Sequence, residues 1–306
     1  MKKITFILGF IVVAFAGSAQ DQTVKGLQSD ASQTIKKDPN DTIPKTWKTG
    51  GLFTLNVAQG SLSNWVGGGD KFSFSGVAFL NLYAYYKKGH HMWDNSLNLG
   101  YGFVNTTSLG RRKSDDRIDL LSNYGYQIAP KWYVSALFNF RTQFAKGYTY
   151  GKDVLGRDSA SLVSASFAPA YAVLSLGVTY KPVDYFSIFL SPLTERWVIV
   201  TNEELSLKGA YGVDPGKKVR NELGAFASIQ FNKEIAKNIV YTSRLDLFSN
   251  YKKNPQNVDL YWTNVLAMKV NKYISANIAL DLLYDDDAIQ KLQVRQLLGV
   301  GFSAKF

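Results

Sequence analysis

From Trp47 to the C-terminus, apolar and polar residues alternate with a period of two. Across 132–144, Trp132, Val134, Ala136, Phe138, Phe140, Thr142 and Phe144 form one series, and Tyr133, Ser135, Leu137, Asn139, Arg141 and Gln143 form the other. Across 93–103, Trp93, Leu97, Leu99, Tyr101 and Phe103 alternate with Asp94, Ser96, Asn98, Gly100 and Gly102. Successive side chains of a strand point to opposite faces, so this period predicts strand, and the spacing an amphipathic helix needs is missing. Twelve segments carry the pattern, near 49–58, 71–86, 92–104, 116–128, 131–145, 166–181, 183–191, 219–232, 238–249, 257–270, 273–285 and 293–306. The seventh is the least regular.

The joints between segments alternate as well. Strands 2–3, 4–5, 6–7, 8–9 and 10–11 meet at Lys87–His90, Ala129-Pro130, Pro182, Lys233–Lys237 and Asn271-Lys272, whereas Gln59–Asp70, Asn105–Asp115, Lys146–Ala165 and Pro192–Lys218 are long. Short turns on one side and long loops on the other, with an even strand number, are the habit of an outer-membrane barrel. A water-soluble sandwich has no reason to sort its connections this way.

The two faces differ in charge. On strands 4, 5 and 8–12 the apolar series carries no charged residue, while the opposite series carries Arg117, Asp119, Arg141, Glu222, Arg244, Asp246, Asp259, Lys269, Asp281, Arg295 and Lys305. A lipid-facing Arg or Lys at mid-depth costs about 2–4 kcal/mol, so these charges are expected to line a lumen. Trp93, Trp132, Phe231, Tyr273 and Phe306 fall at the turn ends of apolar series, where an interfacial girdle belongs. The expected fold is all-β: a transmembrane antiparallel up-and-down β-barrel of about twelve strands, closed so that no strand edge lies unpaired in lipid.

The N-terminus assigns the compartment. Lys2 and Lys3 precede the apolar run Ile4–Phe15, and Gly17 and Ala19 place small residues before Gln20. Residues 1–19 therefore read as a cleaved secretory signal peptide, 20–46 as a polar periplasmic tail and 47–306 as the barrel. The chain has no cysteine, which excludes disulfides, thiolate metal sites and a Cys nucleophile. The formal charge of +11 falls to +9 without the signal residues. The lumen set nearly balances its signs, so the basic excess lies in loops, turns and tail. There it suits acidic headgroups or a protein partner rather than nucleic acid.

Several strings run through 47–306: Ser61-Leu-Ser-Asn-Trp-Val-Gly-Gly-Gly-Asp70, Ser191-Pro-Leu-Thr194, Gly209-Ala-Tyr-Gly-Val-Asp-Pro-Gly-Lys217, Leu245-Asp-Leu-Phe-Ser-Asn250 with Asn254-Pro-Gln-Asn257, and Asn271-Lys-Tyr-Ile-Ser-Ala276 followed by Tyr284-Asp-Asp-Asp287. On these the chain resembles a Bacteroidota-type family of outer-membrane β-barrel proteins that is described only as a domain of unknown function. The resemblance implies compartment and fold, and it brings no reaction and no site residues.

Chemistry-bearing motifs are few. His90 and His91, the only imidazoles, sit in the 2–3 turn beside Lys87 and Lys88, far from any expected lumen carboxylate. A barrel hydrolase needs a base next to a nucleophile or carboxylate, so no catalytic residue is assigned. Asp285-Asp286-Asp287, with Asp115-Asp116 nearby, lacks EF-hand spacing and is expected to be a hydrated acidic loop, with no metal. Gly67-Gly68-Gly69 lacks the Lys-Ser/Thr of a phosphate loop. No cofactor is expected. The expected partners are outer-membrane lipid, the barrel-assembly machinery during insertion, and an envelope protein. Two functions remain: a narrow non-enzymatic channel for small polar solutes, or a structural subunit of an envelope complex.

Overall fold

A computed structural model describes residues 46–64, 69–152, 155–183, 185–271, 274–285 and 289–305. The signal segment, the tail up to residue 45, Gly67, Gly68, Tyr273, Asp286, Asp287, Phe306 and the side chain of Lys305 lie outside the described residues.

Among the described residues twelve strands close one antiparallel ring. They are β1 (Trp47–Ser61), β2 (Phe72–Lys88), β3 (His91–Thr106), β4 (Gly110–Ala129), β5 (Trp132–Thr142), β8 (Ala170–Val183), β9 (Phe186–Ile199), β10 (Val219–Ala236), β11 (Ile239–Asn250), β12 (Val258–Lys269), β13 (Ile274–Asp285) and β14 (Ile289–Lys305). Each pairs with its neighbour in the chain, except that β5 pairs with β8 across an inserted hairpin, and β1 pairs with both β2 and β14. The hairpin is β6 (Gly147–Lys152) with β7 (Asp158–Ser164). It occupies the 5–8 connection, where the sequence pattern gives no strand.

Polarity is inside out, as the alternation requires. Along β5, Trp132 and Val134 are exposed while Tyr133, Ser135, Leu137 and Asn139 are buried. On β14, Val294, Leu298 and Val300 are 62%, 73% and 60% exposed. At the turn end, Trp47 meets Tyr86 and Trp93, Trp132 meets Tyr180 at 4.6 Å, and Phe231 meets Tyr185. His91 bonds Tyr124 Oη through Nδ1 at 2.7 Å, and His90 packs beside Tyr126, so both imidazoles belong to this aromatic belt.

A few polar side chains stand on the outward series, and they bond to one another. Trp93 donates to Ser122, Ser122 to Asn95, and Asn95 to the carbonyl of Ala84. On the other side of the ring, Trp262 donates to Ser243, while Ser243 and Tyr241 donate to Asn264. Hydrocarbon offers no hydrogen bonds, so such groups are tolerated where they are mutually satisfied.

Two of the boundaries that differ from the sequence expectation bear on the interior. The 3–4 connection is only residues 107–109, because both strands run on past a bulge at Gly102/Phe103. The 192–218 segment begins as strand: β9 continues to Ile199 through a bulge at Ser191–Thr194. There the inward series changes parity, from Ser187, Phe189 and Ser191 to Thr194, Arg196 and Val198. The single hydroxyl hydrogen of Ser191 has the carbonyls of Leu176 and Leu193 within reach, at 2.7 and 2.8 Å, where the bulge interrupts the ladder. The true connection, 200–218, holds a short helix α1 (Glu203–Leu207) capped by Asn202. Its Val200, Leu205 and Val213 pack on Ala165 and Ala168 beside the β6–β7 hairpin, and Tyr211 donates to the carbonyl of Val163. The two long loops thus form one folded cap at the loop end.

Candidate functional site

The inward series of the strands meet in the bore. Arg141 on β5 donates to Asp246 on β11 at 2.6 Å, although three strands separate them in the ring. Arg244 on β11 reaches Asp119 on β4 at 3.6 Å and Asp246 at 2.8 Å. Arg117 on β4 stands 4.0 Å from Asp281 on β13, and Arg295 on β14 pairs with both Asp281 and Asp115. Arg196 on β9 pairs with Glu222 on β10 and, at 2.6 Å, with Asp259 on β12. Arg220 completes the set at 3.1 Å from Glu222. Contacts between strands that are not neighbours can only pass through the interior. Together they make a lattice of six arginines and six carboxylates with no net charge.

Neutral side chains brace the lattice. Ser228 donates to Asp246 at 2.7 Å, Asn139 donates to Asp119 at 2.7 Å and accepts from Arg141 Nε, and Asn250 donates to Glu222. Arg141 lies over the ring of Tyr261 and Arg196 over that of Phe248, both at 4.2 Å. A fork of guanidinium donors suits such multiple, planar contacts better than a point-like ammonium does, which explains why the cations here are arginine.

Of the eleven charges expected to line the lumen, nine fall in this lattice; Lys269 ends β12 at the turn end instead, and the side chain of Lys305 lies outside the described residues. Arg196, Arg220 and Asp115 were not anticipated. Arg196 lies beyond the parity change in β9, and Asp115 lies in a stretch that reads as loop. The interior is also less polar than the alternation suggests. Leu121, Leu137, Phe189, Phe226 and Phe248 point inward and form one apolar cluster against the lattice. A further tie, Lys181 on β8 to Asp94 on β3 at 3.7 Å, crosses nearer the turn end.

The wall formed by β1, β2 and β14 is built differently. Tyr83 lies over Gly50, and a Cβ at Gly299 would stand 2.6 Å from Asn56 Nδ2. Glycine at these two points lets the larger neighbour lie flat along the wall instead of projecting into the bore.

Among the described residues no group of three or more His, Cys, Asp or Glu side chains is gathered to hold a metal ion. Asp285 is buried on β13, Asp115 faces Arg295, and Asp116 faces Lys113.

A closed antiparallel ring with an apolar outer face, an aromatic belt and an ionic interior is a transmembrane β-barrel. Residues 57–148, from within β1 to the start of β6, match the model of a family described as a protein of unknown function (DUF3078). No curated protein matches the chain. Among solved structures it is similar to the translocator domain of the autotransporter NalP from Neisseria meningitidis, at 10% identity over 86% of this chain and 90% of that one, with a TM-score of 0.39. It is also similar to an outer membrane channel from Pseudomonas putida F1, at 10% identity over 89% and 100% of the two chains (TM-score 0.39). The NanC porin shares 11% identity over 82% and 98% (TM-score 0.37).

Proposed function

We propose that the protein is a non-enzymatic outer-membrane barrel that conducts small polar solutes through a narrow bore, with the cross-bore lattice as its constriction. The observation that carries this reading is the neutral arginine–carboxylate set standing inside a ring whose outer face is apolar. Buried charge is costly, and a barrel needed only as a wall would be filled more cheaply by apolar side chains. Alternating signs offer both donors and acceptors to a polar solute and little barrier to either ion sign. The reading includes export through a signal peptide at 1–19, a periplasmic tail at 20–46, insertion by the barrel-assembly machinery and contact with outer-membrane lipid.

Planar-bilayer recording tests it, with wild type beside the charge-neutral double variant Arg141→Ala/Asp246→Ala. Small conductance steps are expected from wild type and larger ones from the variant. Silence from both, together with no solute uptake into vesicles, refutes conduction. The apolar cluster beside the lattice favours a second reading, a structural subunit of an envelope complex. Under that reading only the variant conducts, and pull-down from mild detergent yields a stoichiometric partner.

A further inference from the structure

β4 outruns its partner. Its pairing with β5 starts at Ile118, so residues 110–117 face the loop end with β3 on one side and no barrel strand on the other. The β6–β7 hairpin fills part of that notch, and the segment leading into it is pinned by side chains of β4: Asp116 accepts from the backbone of Phe144 and Ala145, and Lys113 donates to Gln143, Ala145 and, on β7, Ser164. Between β4 and the hairpin remains a cavity of about 440 Å³. It runs from Phe103, on the outward series of β3, to Asp115 and Arg295 in the bore.

The lining combines aromatic rings with surplus positive charge. Tyr101, Phe103, Tyr148 and Tyr150 supply ring faces and hydroxyls. Lys113 and Arg295 are neutralised by Asp116 and Asp115. Arg111 and Lys146 also line the cavity, and among the described residues neither has an ion-pair partner. Arg111 is held over the ring of Phe103 at 4.4 Å, and its neighbour Arg112 over Tyr150 at 3.8 Å, with a buried Nε that has no hydrogen-bond partner among the described residues. Asp115 Oδ2 at the inner end is likewise buried and without a hydrogen-bond partner among the described residues. Small-molecule sites occupy about 300–1,000 Å³ and combine ring surfaces with a few fixed polar groups, which this cavity does.

We propose that the notch binds a small carboxylate carried on a six-membered ring, either a sugar acid or an aromatic acid, its carboxylate on Arg111 and Lys146 and its ring against the tyrosines. A bare anion would leave the rings unused, and a neutral sugar would leave the cations unmet. The proposal rests on the channel reading, for which it names the solute class. The two fail separately, because binding is read without any current.

The full chain, folded in detergent micelles, is titrated calorimetrically with sodium D-glucuronate, sodium benzoate, D-glucose and sodium acetate. Saturable binding of glucuronate or benzoate is expected, with glucose and acetate at least about tenfold weaker, and the stronger of the two acids identifies the ring. Arg111→Gln/Lys146→Gln should weaken that binding about tenfold or more, and Lys252→Gln, in the separate 251–257 loop, should leave it unchanged. If the double variant does not fold, Arg111→Gln alone serves. The site is refuted if neither ring acid saturates, if acetate binds equally well, or if the Arg111 variants bind as wild type does.

Discussion

Replacing Asp246 by Asn removes one negative charge from the centre of the lattice and almost no volume. Asp246 is 3% exposed and receives Arg141 at 2.6 Å, Arg244 at 3.0 Å through Nε, and Ser228 at 2.7 Å. Without it the set has six arginines against five carboxylates, a net of +1, and Arg244 keeps only Asp119 at 3.6 Å. A permeating ion passing roughly 5 Å from the uncompensated guanidinium feels about 0.8 kcal/mol in water-like surroundings and about 3 kcal/mol at an effective dielectric of 20. The lower figure favours an anion about fourfold and disfavours a cation by the same factor, so their permeability ratio moves roughly fifteenfold. The assay is the reversal potential across a planar bilayer under a KCl gradient. Asp246→Asn should shift it toward the chloride potential, and Arg141→Gln, which leaves a net of −1, toward that of potassium. Conducting variants with unchanged reversal potentials would refute the claim that the lattice faces the ion path.

Phe189→Ala, at a position 2% exposed inside the bore, should cost about 3–5 kcal/mol in urea unfolding from micelles and also raise conductance, since the cavity opens into the lumen. Leu298→Lys, at a position 73% exposed on the outward series, should cost about 2–4 kcal/mol in vesicle-refolding titrations, whereas Gln293→Lys on the inward series should cost far less; equal costs would mean that lipid does not surround this face. Burial raises the pKa of Tyr211 above its ordinary 10.0, so the neutral phenol that holds Val163 is favoured by the folded cap. That stabilisation is complete below about pH 10 and is lost as pH rises through the raised value. Tyrosinate absorbance of wild type minus Tyr211→Phe should therefore titrate later than free tyrosine.

The strands were legible because lipid and water impose opposite demands on the two faces, and a period of two records both. Trp132 to Phe140 shows one face and Tyr133 to Arg141 the other, without reference to any partner. The lattice was legible as a set of residues but not as a set of pairs. That Arg141 meets Asp246, or Arg295 meets Asp115, depends on ring closure and strand stagger, which no local pattern carries. In β9 the alternation itself breaks. The bulge at Ser191–Thr194 shifts the inward series by one, so a search for strict alternation stops at 191 and loses Arg196. The β6–β7 hairpin escaped because its residues are largely exposed on both series, leaving no contrast to detect. The inward Leu137 and Phe189 escaped because only their neighbours in space make them a cluster.

The hydrogen-bonded knots on the outward face bear on how such a wall comes into being. Trp93 and Asn95 belong to β3 and Ser122 to β4; Ser243 belongs to β11 and Trp262 to β12. A solitary β12 entering hydrocarbon would drag the indole N–H of Trp262 and the amide oxygen of Asn264 with nothing to meet them. Two adjacent ribbons entering together arrive with those needs already answered. The decorated positions therefore clasp β3 to β4 and β11 to β12 on the outward face, so that either strand of a couple leaves polar groups unmet without the other.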